Sequence, residues 1–352
     1  MLFNIQLLRA LAAYLVVFVH LQPFVLMVDG PAELFAFGNA GVDIFFVISG
    51  FIMVFTTQRR EHSPGLFFKH RIARVVPLYW FVTFIVFIIA IVTPSLLQGT
   101  HATFLYLLKS TFFIPFQRVD GAVAPIVFVG WTLNYEMFFY VLFTIALSFP
   151  TRRIGLIILF VSLSGLVLIG AIIHPAAVEV RFYTRAILLE FGFGVSLGLL
   201  FPYLPNHQHL RWPTVLLGCF SFAATFWTPV IWSNIDRTLL WGVPAFFIVL
   251  SALILDRLSI RVPSIIRLLG DASYSIYLTH FFVTQMLVKL AGRLHLANPV
   301  SIALFLLISL LAVGLVGVLV HHAIERPLTK IVQQLLGIVD RRSAGPIQEG
   351  RR

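Results

Sequence analysis

Cysteine is nearly missing from this chain. Its 352 residues include one, Cys219, set in an apolar run, so neither an intrachain disulfide nor a cysteine-based metal set can form. Charge is scarce as well: 11% of residues are charged, against roughly 25% in average soluble domains. Acids are rarer than bases, 14 Asp and Glu to 25 Lys and Arg, which leaves a net charge of +11. There is no internal repeat and no linker that would divide the chain into soluble domains. The N-terminus lacks the basic start of a cleaved signal peptide, and its first apolar run is long and carries Arg9 and His20. That run therefore reads as a retained helix.

What fills the chain instead is apolar. Hydrophobic residues make up 59%, with 36 Phe, and the mean hydropathy is +0.97. A soluble fold of this length could not hide so much apolar surface, whereas a bilayer removes the need to. A spanning helix takes about 20 mostly apolar residues. Ten segments qualify: 5–27, 39–57, 76–97, 130–149, 153–173, 183–203, 212–232, 238–255, 268–290 and 299–322. The segment 100–118 is apolar but short and carries Lys109 and Pro115, so it reads as an interfacial or re-entrant piece. Residues 326–352 are polar and end in DRRSAGPIQEGRR, the composition of a disordered tail. The expectation is an all-α polytopic protein with its membrane domain in 1–325.

The basic residues sit in short connections between apolar runs, as in cytoplasmic loops facing anionic headgroups, and no nucleic-acid partner is expected. Placing the N-terminus in the cytoplasm puts the larger share of the 25 Lys and Arg on the cytoplasmic side, five of them in the connection after the second span. An even number of spans then returns the C-terminus to the same side.

Ionisable groups inside a bilayer cost several kcal/mol and mark function by default. The first span holds Arg9 and His20, 11 residues apart, which at about 100° per residue places them on one face and about 16 Å apart along the axis. Arg9 falls at the cytoplasmic entrance and His20 past the middle. The second and fourth spans enter from the outside, so Asp43 and Glu136 share the depth of His20. Either carboxylate could orient the imidazole. Trp131 reads as an interface anchor. Arg71 and Arg74, three apart in HRIAR, suit phosphate groups. Tyr274, Tyr277 and His280 form a polar stripe on the ninth span, and Glu190 lies in an apolar run of the sixth. Each also has a plainer reading, as a packing hydrogen bond or a positive-inside topology residue. No metal set is expected.

Five segments in order, IQLLRALAAYLVVFVH, GVDIFFVISGFIM, HRIARVVPLYW, WTLNYEMFFY and LGDASYSIYLTH, resemble the acyltransferase 3 family of integral-membrane acyltransferases over roughly residues 4–325. The subtype looks similar to O-acetyltransferases that decorate bacterial exopolysaccharide. The resemblance implies ten helices with cytoplasmic termini in the bacterial inner membrane. It implies an acyl-CoA co-substrate, with acetyl-CoA first among them and no bound cofactor. The acceptor would be a polysaccharide or lipid-linked glycan, with membrane lipid and polysaccharide-assembly proteins as partners.

By motif position, Arg9, Arg71 and Arg74 would meet the donor. His20, with Glu136 or Asp43, would be catalytic, as general base or transient acyl carrier. Tyr277, His280, Glu190 and Trp131 would line or support the acceptor path. The competing class is a transporter or flippase for a lipid-linked sugar or small anion, since intramembrane charges suit that equally. Repeated halves and matching broken helices, the marks of a carrier, are not found.

Overall fold

The computed structural model describes residues 2–58, 63–93, 102–231, 235–258, 263–294, 296 and 298–338, with side chains from 227 to 231 excepted. Apolar segments of helical length dominate it, because a chain in hydrocarbon must satisfy its backbone polar groups internally. The helices are α1 (Phe3–Met27), α2 (Ala40–Gln58), α3 (Pro64–Val92), α4 (Phe104–Thr111), α5 (Trp131–Leu147), α6 (Arg152–Ile173) and α7 (Val178–Tyr183). They continue with α8 (Leu189–Leu200), α9 (Arg211–Ile231), α10 (Val243–Arg257), α11 (Ser264–Asp271), α12 (Ser273–Leu294), α13 (Pro299–Val320) and α14 (Arg326–Leu335). Single π turns, Thr238–Gly242 and His321–Glu325, lead into α10 and α14. The only extended pairing among the described residues is one isolated bridge, Gln117 to Val123.

Seven helical stretches are long and apolar enough to cross a membrane: 3–27, 36–58, 64–92, 152–173, 186–203, 238–257 and 299–335. The protein is thus an all-α polytopic membrane protein. Three further expected spans are helical as well. Of these, α5 has only 17 residues, and α12 carries Lys289 and Arg293 in its last turns.

Helix α2 is the hub. Of its most apolar stretch 72% is buried, against 17% for α6, whose exposed Ile157, Val161, Leu168 and Ile172 present a lipid-facing surface. Small residues let α2 sink into its neighbours. A Cβ on Gly50 would lie 3.0 Å from Gly194 Cα, one on Gly194 would lie 2.7 Å from Phe51 N, and one on Gly41 would lie 2.9 Å from Val16 on α1. Helices α1 and α8 therefore pack backbone-close against α2 and hold its side chains in register.

Two sequence expectations need correction. The stretch around Arg71 and Arg74 is not a loop, because α3 starts at Pro64. Ser63 caps it, its Oγ accepting from Leu66 N at 3.2 Å, and Pro64 fits the first helical turn, where its missing N–H costs nothing. At 29 residues and about 1.5 Å per residue, α3 outruns a hydrocarbon core of about 30 Å. The arginines therefore ride on its projecting end. Likewise the first part of the expected disordered tail is helix. The π turn 321–325 widens the helix just ahead of Pro327, where an α-helical register would bring the ring against the carbonyl four residues back. The chain runs on through α14. Residues 339–352 lie outside the described residues.

Segment 100–118 does not span. Its described part contains the eight-residue α4, about 12 Å long, and Lys109 pairs at 3.2 Å with Glu179 on α7. A backbone hydrogen bond and Lys109 hold the Glu179 carboxyl below its ordinary range.

The α2–α8 contact is testable. Gly194→Ala would normally favour a helix by about 1 kcal/mol, yet the added methyl meets backbone. We expect a net loss of about 1–3 kcal/mol, read as a lower thermal unfolding midpoint in detergent. An unchanged or raised midpoint would contradict this packing.

Candidate active site

Five helices converge on a cleft of about 920 Å³. Arg9 comes from α1, Ser49 from α2, Arg71 and Arg74 from α3, Thr132, Glu136 and Tyr140 from α5, and Ser273, Tyr274 and Tyr277 from α12. Apolar side chains, among them Phe45, Ile52, Met53 and Leu133, fill the remaining wall. The cleft therefore combines three guanidinium groups and one carboxylate with a set of hydroxyl side chains and an apolar wall.

Glu136 is tied down from two sides. Ser49 Oγ donates to its Oε1 at 3.3 Å, and the Tyr140 hydroxyl, one helical turn on, donates to the same oxygen. Arg74 is also committed, through an ion pair with Glu325. The other oxygen of Glu325 accepts from Ser275 Oγ at 2.6 Å and meets His321 Nδ1 at 2.8 Å. Arg71 makes no ion pair among the described residues. Its Nε is buried without a partner, and its guanidinium stands 5.5 Å from the Phe67 ring. Arg9 donates to Gln6 Oε1 at 3.2 Å. Among the described residues, Arg71 and Arg9 are thus the cleft arginines free of a carboxylate contact.

His20 lies beyond the far end of this cleft, and among the described residues no carboxylate touches it. Its ring stands 5.0 Å from that of His280, with Phe281 at 5.1 Å and Phe128 at 6.2 Å. His280 is fully buried. Its Nδ1 meets the Tyr277 carbonyl oxygen at 2.5 Å, and since a carbonyl only accepts, Nδ1 carries the hydrogen. The neutral ring then has its lone pair on Nε2, an atom with no partner. Tyr277 separates cleft from histidines. It lines the cleft, its ring is 5.7 Å from that of His280, and its hydroxyl meets Val129 O at 2.9 Å and Thr132 Oγ1 at 2.7 Å.

Asp43 belongs to a third group. Arg237 Nη2 donates to Asp43 Oδ2 at 2.7 Å and to Asn39 O at 3.0 Å. The same guanidinium lies 5.0 Å from the Trp241 ring and 6.0 Å from that of Trp131. Glu190, wholly buried, faces the same place, packed so closely on Gly242 that a Cβ there would lie 2.9 Å from Glu190 Oε1.

The shared depth of His20, Asp43 and Glu136 is therefore not a meeting point. Depth is one coordinate, and helix rotation is another. On α2, six residues separate Asp43 from Ser49, about 240° of rotation, so Ser49 faces Glu136 while Asp43 faces Arg237. Neither carboxylate contacts His20; the His280 ring stands beside it. The cleft does gather Arg9, Arg71, Arg74, Glu136 and Tyr277. Sequence reasoning missed Tyr140, Ser49, Arg237, Trp241 and Glu325. Tyr140 had a usable signal, its i, i+4 spacing from Glu136.

Residues 2–320 match a family model described as an acyltransferase domain. The exopolysaccharide production protein ExoZ of Rhizobium meliloti is 33% identical over 302 residues, covering 84% of this chain and 91% of ExoZ. Acyltransferase MdmB of Streptomyces mycarofaciens is 25% identical over 84% of this chain and 82% of its own. O-acetyltransferase OatA of Staphylococcus aureus is 23% identical over 92% of this chain but 56% of its own length. No solved structure matches.

The buried pair carries a stability prediction. Asp43→Ala leaves Arg237 uncompensated in the membrane, and a loss of about 3–5 kcal/mol is expected. Arg71→Ala removes no ion pair and should stay within about 0.5 kcal/mol of the parent. Equal thermal midpoints for the two variants would contradict these assignments.

Proposed function

This chain belongs to the acyltransferase 3 family and is an enzyme that transfers acyl groups; from that premise we propose that it moves an acetyl group from cytoplasmic acetyl-CoA to a hydroxyl of an exopolysaccharide or its lipid-linked precursor. The observation that carries the proposal is the cleft, with charged Arg9, Arg71 and Arg74 toward one end and the His20–His280 pair beyond the other. In this reading the protein sits in the bacterial inner membrane with ten spans and both termini in the cytoplasm. The Arg9 end then faces the cytoplasm, and His20 lies toward the outside.

The roles follow from what each side chain has free. Arg71 and Arg9 have no carboxylate partner, so a phosphate entering the cleft displaces none. Arg74, held by Glu325, stands as a fixed cation at the cleft wall. The apolar wall between Met53 and Phe45 accepts the pantetheine arm and the acyl group. Glu136, fixed by Tyr140 and Ser49, sits midway as the one carboxylate facing that arm.

At His20 the transfer has two balanced forms. As general base, His20 takes the acceptor hydroxyl proton while the C–O bond forms and the C–S bond breaks, and the proton ends on the departing thiolate. As acyl carrier, a C–N bond to His20 forms as C–S breaks and the ring's other proton passes to the departing thiolate; C–O then forms as C–N breaks, and the hydroxyl proton returns to the imidazole. In both, the reacting imidazole nitrogen must hold a lone pair. The Nε2 lone pair of His280 favours this, because it can accept the N–H of His20 and leave the opposite nitrogen bare. The Tyr277 hydroxyl, engaged with Val129 O and Thr132, braces this junction rather than serving as a free oxyanion donor.

Family membership favours the enzyme over the carrier reading, and mass spectrometry of surface polysaccharide separates them. Deleting the gene should remove acetyl groups while polymer is still exported; loss of export with normal acetylation would contradict the proposal. His20→Ala, inserted at parental levels, should lower transfer by at least about 100-fold, and full activity would eliminate both forms of the chemistry.

A further inference from the structure

A second hollow of about 870 Å³ opens beside the cleft, at the Arg9 end of α1. Arg9 and Arg74 line both hollows, so these two guanidinium groups form a neck between them. The outer chamber differs in character from the cleft. Its remaining lining, Asp271, His321, Glu325, Arg326, Thr329 and Lys330, is wholly polar or charged. Three of these residues come from α14, where a disordered tail was expected.

The charge in this chamber is unbalanced. Glu325 spends both oxygens on Arg74, Ser275 and His321, so the pair Arg74–Glu325 is neutral in sum. What remains is Arg9, Arg326 and Lys330 against Asp271. Arg326 and Lys330 are four apart on α14, hence neighbours on one helix face, with the Thr329 hydroxyl beside them. The helix is not loose. It packs against α3, and Lys69 of α3 donates to Leu336 O just past its end at 3.3 Å.

We propose that this vestibule is a seat for the phosphates of a nucleotide, with Arg326 and Lys330 as its outer contacts and Arg9 at the neck. It rests on the donor reading above and deepens it. A ligand that is polyanionic at one end and carries a long, weakly polar arm with an acyl group matches a charged mouth opening through a neck into an apolar cleft. The distance from Arg9 to His20, about 16 Å along α1, calls for such an arm. The seat makes the protein select a nucleotide-linked thioester over a thioester that carries the same arm without the nucleotide. Lipid headgroups offer the same phosphate chemistry, and the test separates the two sources.

Full-length protein in phosphatidylcholine nanodiscs is titrated with adenosine 3′,5′-bisphosphate, a nucleotide without arm or acyl group. The parent should bind it and lose it to acetyl-CoA. Arg326→Ala with Lys330→Ala should weaken binding by about tenfold or more, and Arg326→Lys with Lys330→Arg should restore it. The double alanine variant should raise KM for acetyl-CoA similarly with kcat kept, and leave turnover of S-acetylpantetheine unchanged. Unaltered probe affinity in the alanine variant overturns the seat, even if acetyl transfer from acetyl-CoA proceeds normally. A variant defect that appears only in nanodiscs containing phosphatidylglycerol assigns the cations to lipid and overturns it too. Probe binding lost in the variant supports the seat whether or not acetyl transfer is found, so the seat and the proposed reaction fail separately.

Discussion

A guanidinium or carboxylate in hydrocarbon costs several kcal/mol unless it meets a partner or opens onto a water-filled cavity. That cost sorts the charges within and at the edge of the helix bundle into separate settlements. Asp43 and Arg237 are paired and face Glu190 beside two tryptophans. Arg74 and Glu325 are paired where α3, α12 and the π turn before α14 meet. Arg9, Arg71 and Glu136 are left to line a cavity. The two paired groups act as pins that hold helices together. The third group is the one with chemistry to spare.

The same sorting depends on close helix packing. Glycines at 41, 50 and 194 bring α1 and α8 against α2, and this fixes the rotation of α2 about its own axis. Rotation decides that Ser49 points to Glu136 and that Asp43 points away from His20. Apolar packing and polar geometry are therefore one problem in this protein: a helix held off by one extra methyl would turn the wrong residue toward the cleft.

Much of the fold was legible in the sequence, because bilayer spanning demands apolar runs of a fixed length, and the seven helical stretches long and apolar enough to span all overlap runs read that way. The candidacy of Arg9, Arg71, Arg74, Glu136 and Tyr277 was legible as well, from their scarcity in an apolar chain and from motif order, but their gathering in one cleft was not, since Glu136 was placed with His20 and Asp43. Partners were not. Depth along a helix can be counted, but azimuth around it depends on tertiary packing, so His20 was assigned a carboxylate where the structure provides His280. Helix α14 was missed because its polar composition and Pro327 imitate a chain end, and only the π turn ahead of it explains how the helix continues.

In the proposed reaction a cationic vestibule, the cleft and a histidine pair form one route through the membrane domain, which donor and acceptor enter from opposite ends. Proteoliposomes with acetyl-labelled acetyl-CoA sealed inside, and undecorated exopolysaccharide from a strain lacking the gene added outside, test it directly. The account predicts label on the external polymer and none in liposomes without protein. Label that reaches polymer only when both substrates share one compartment would contradict it.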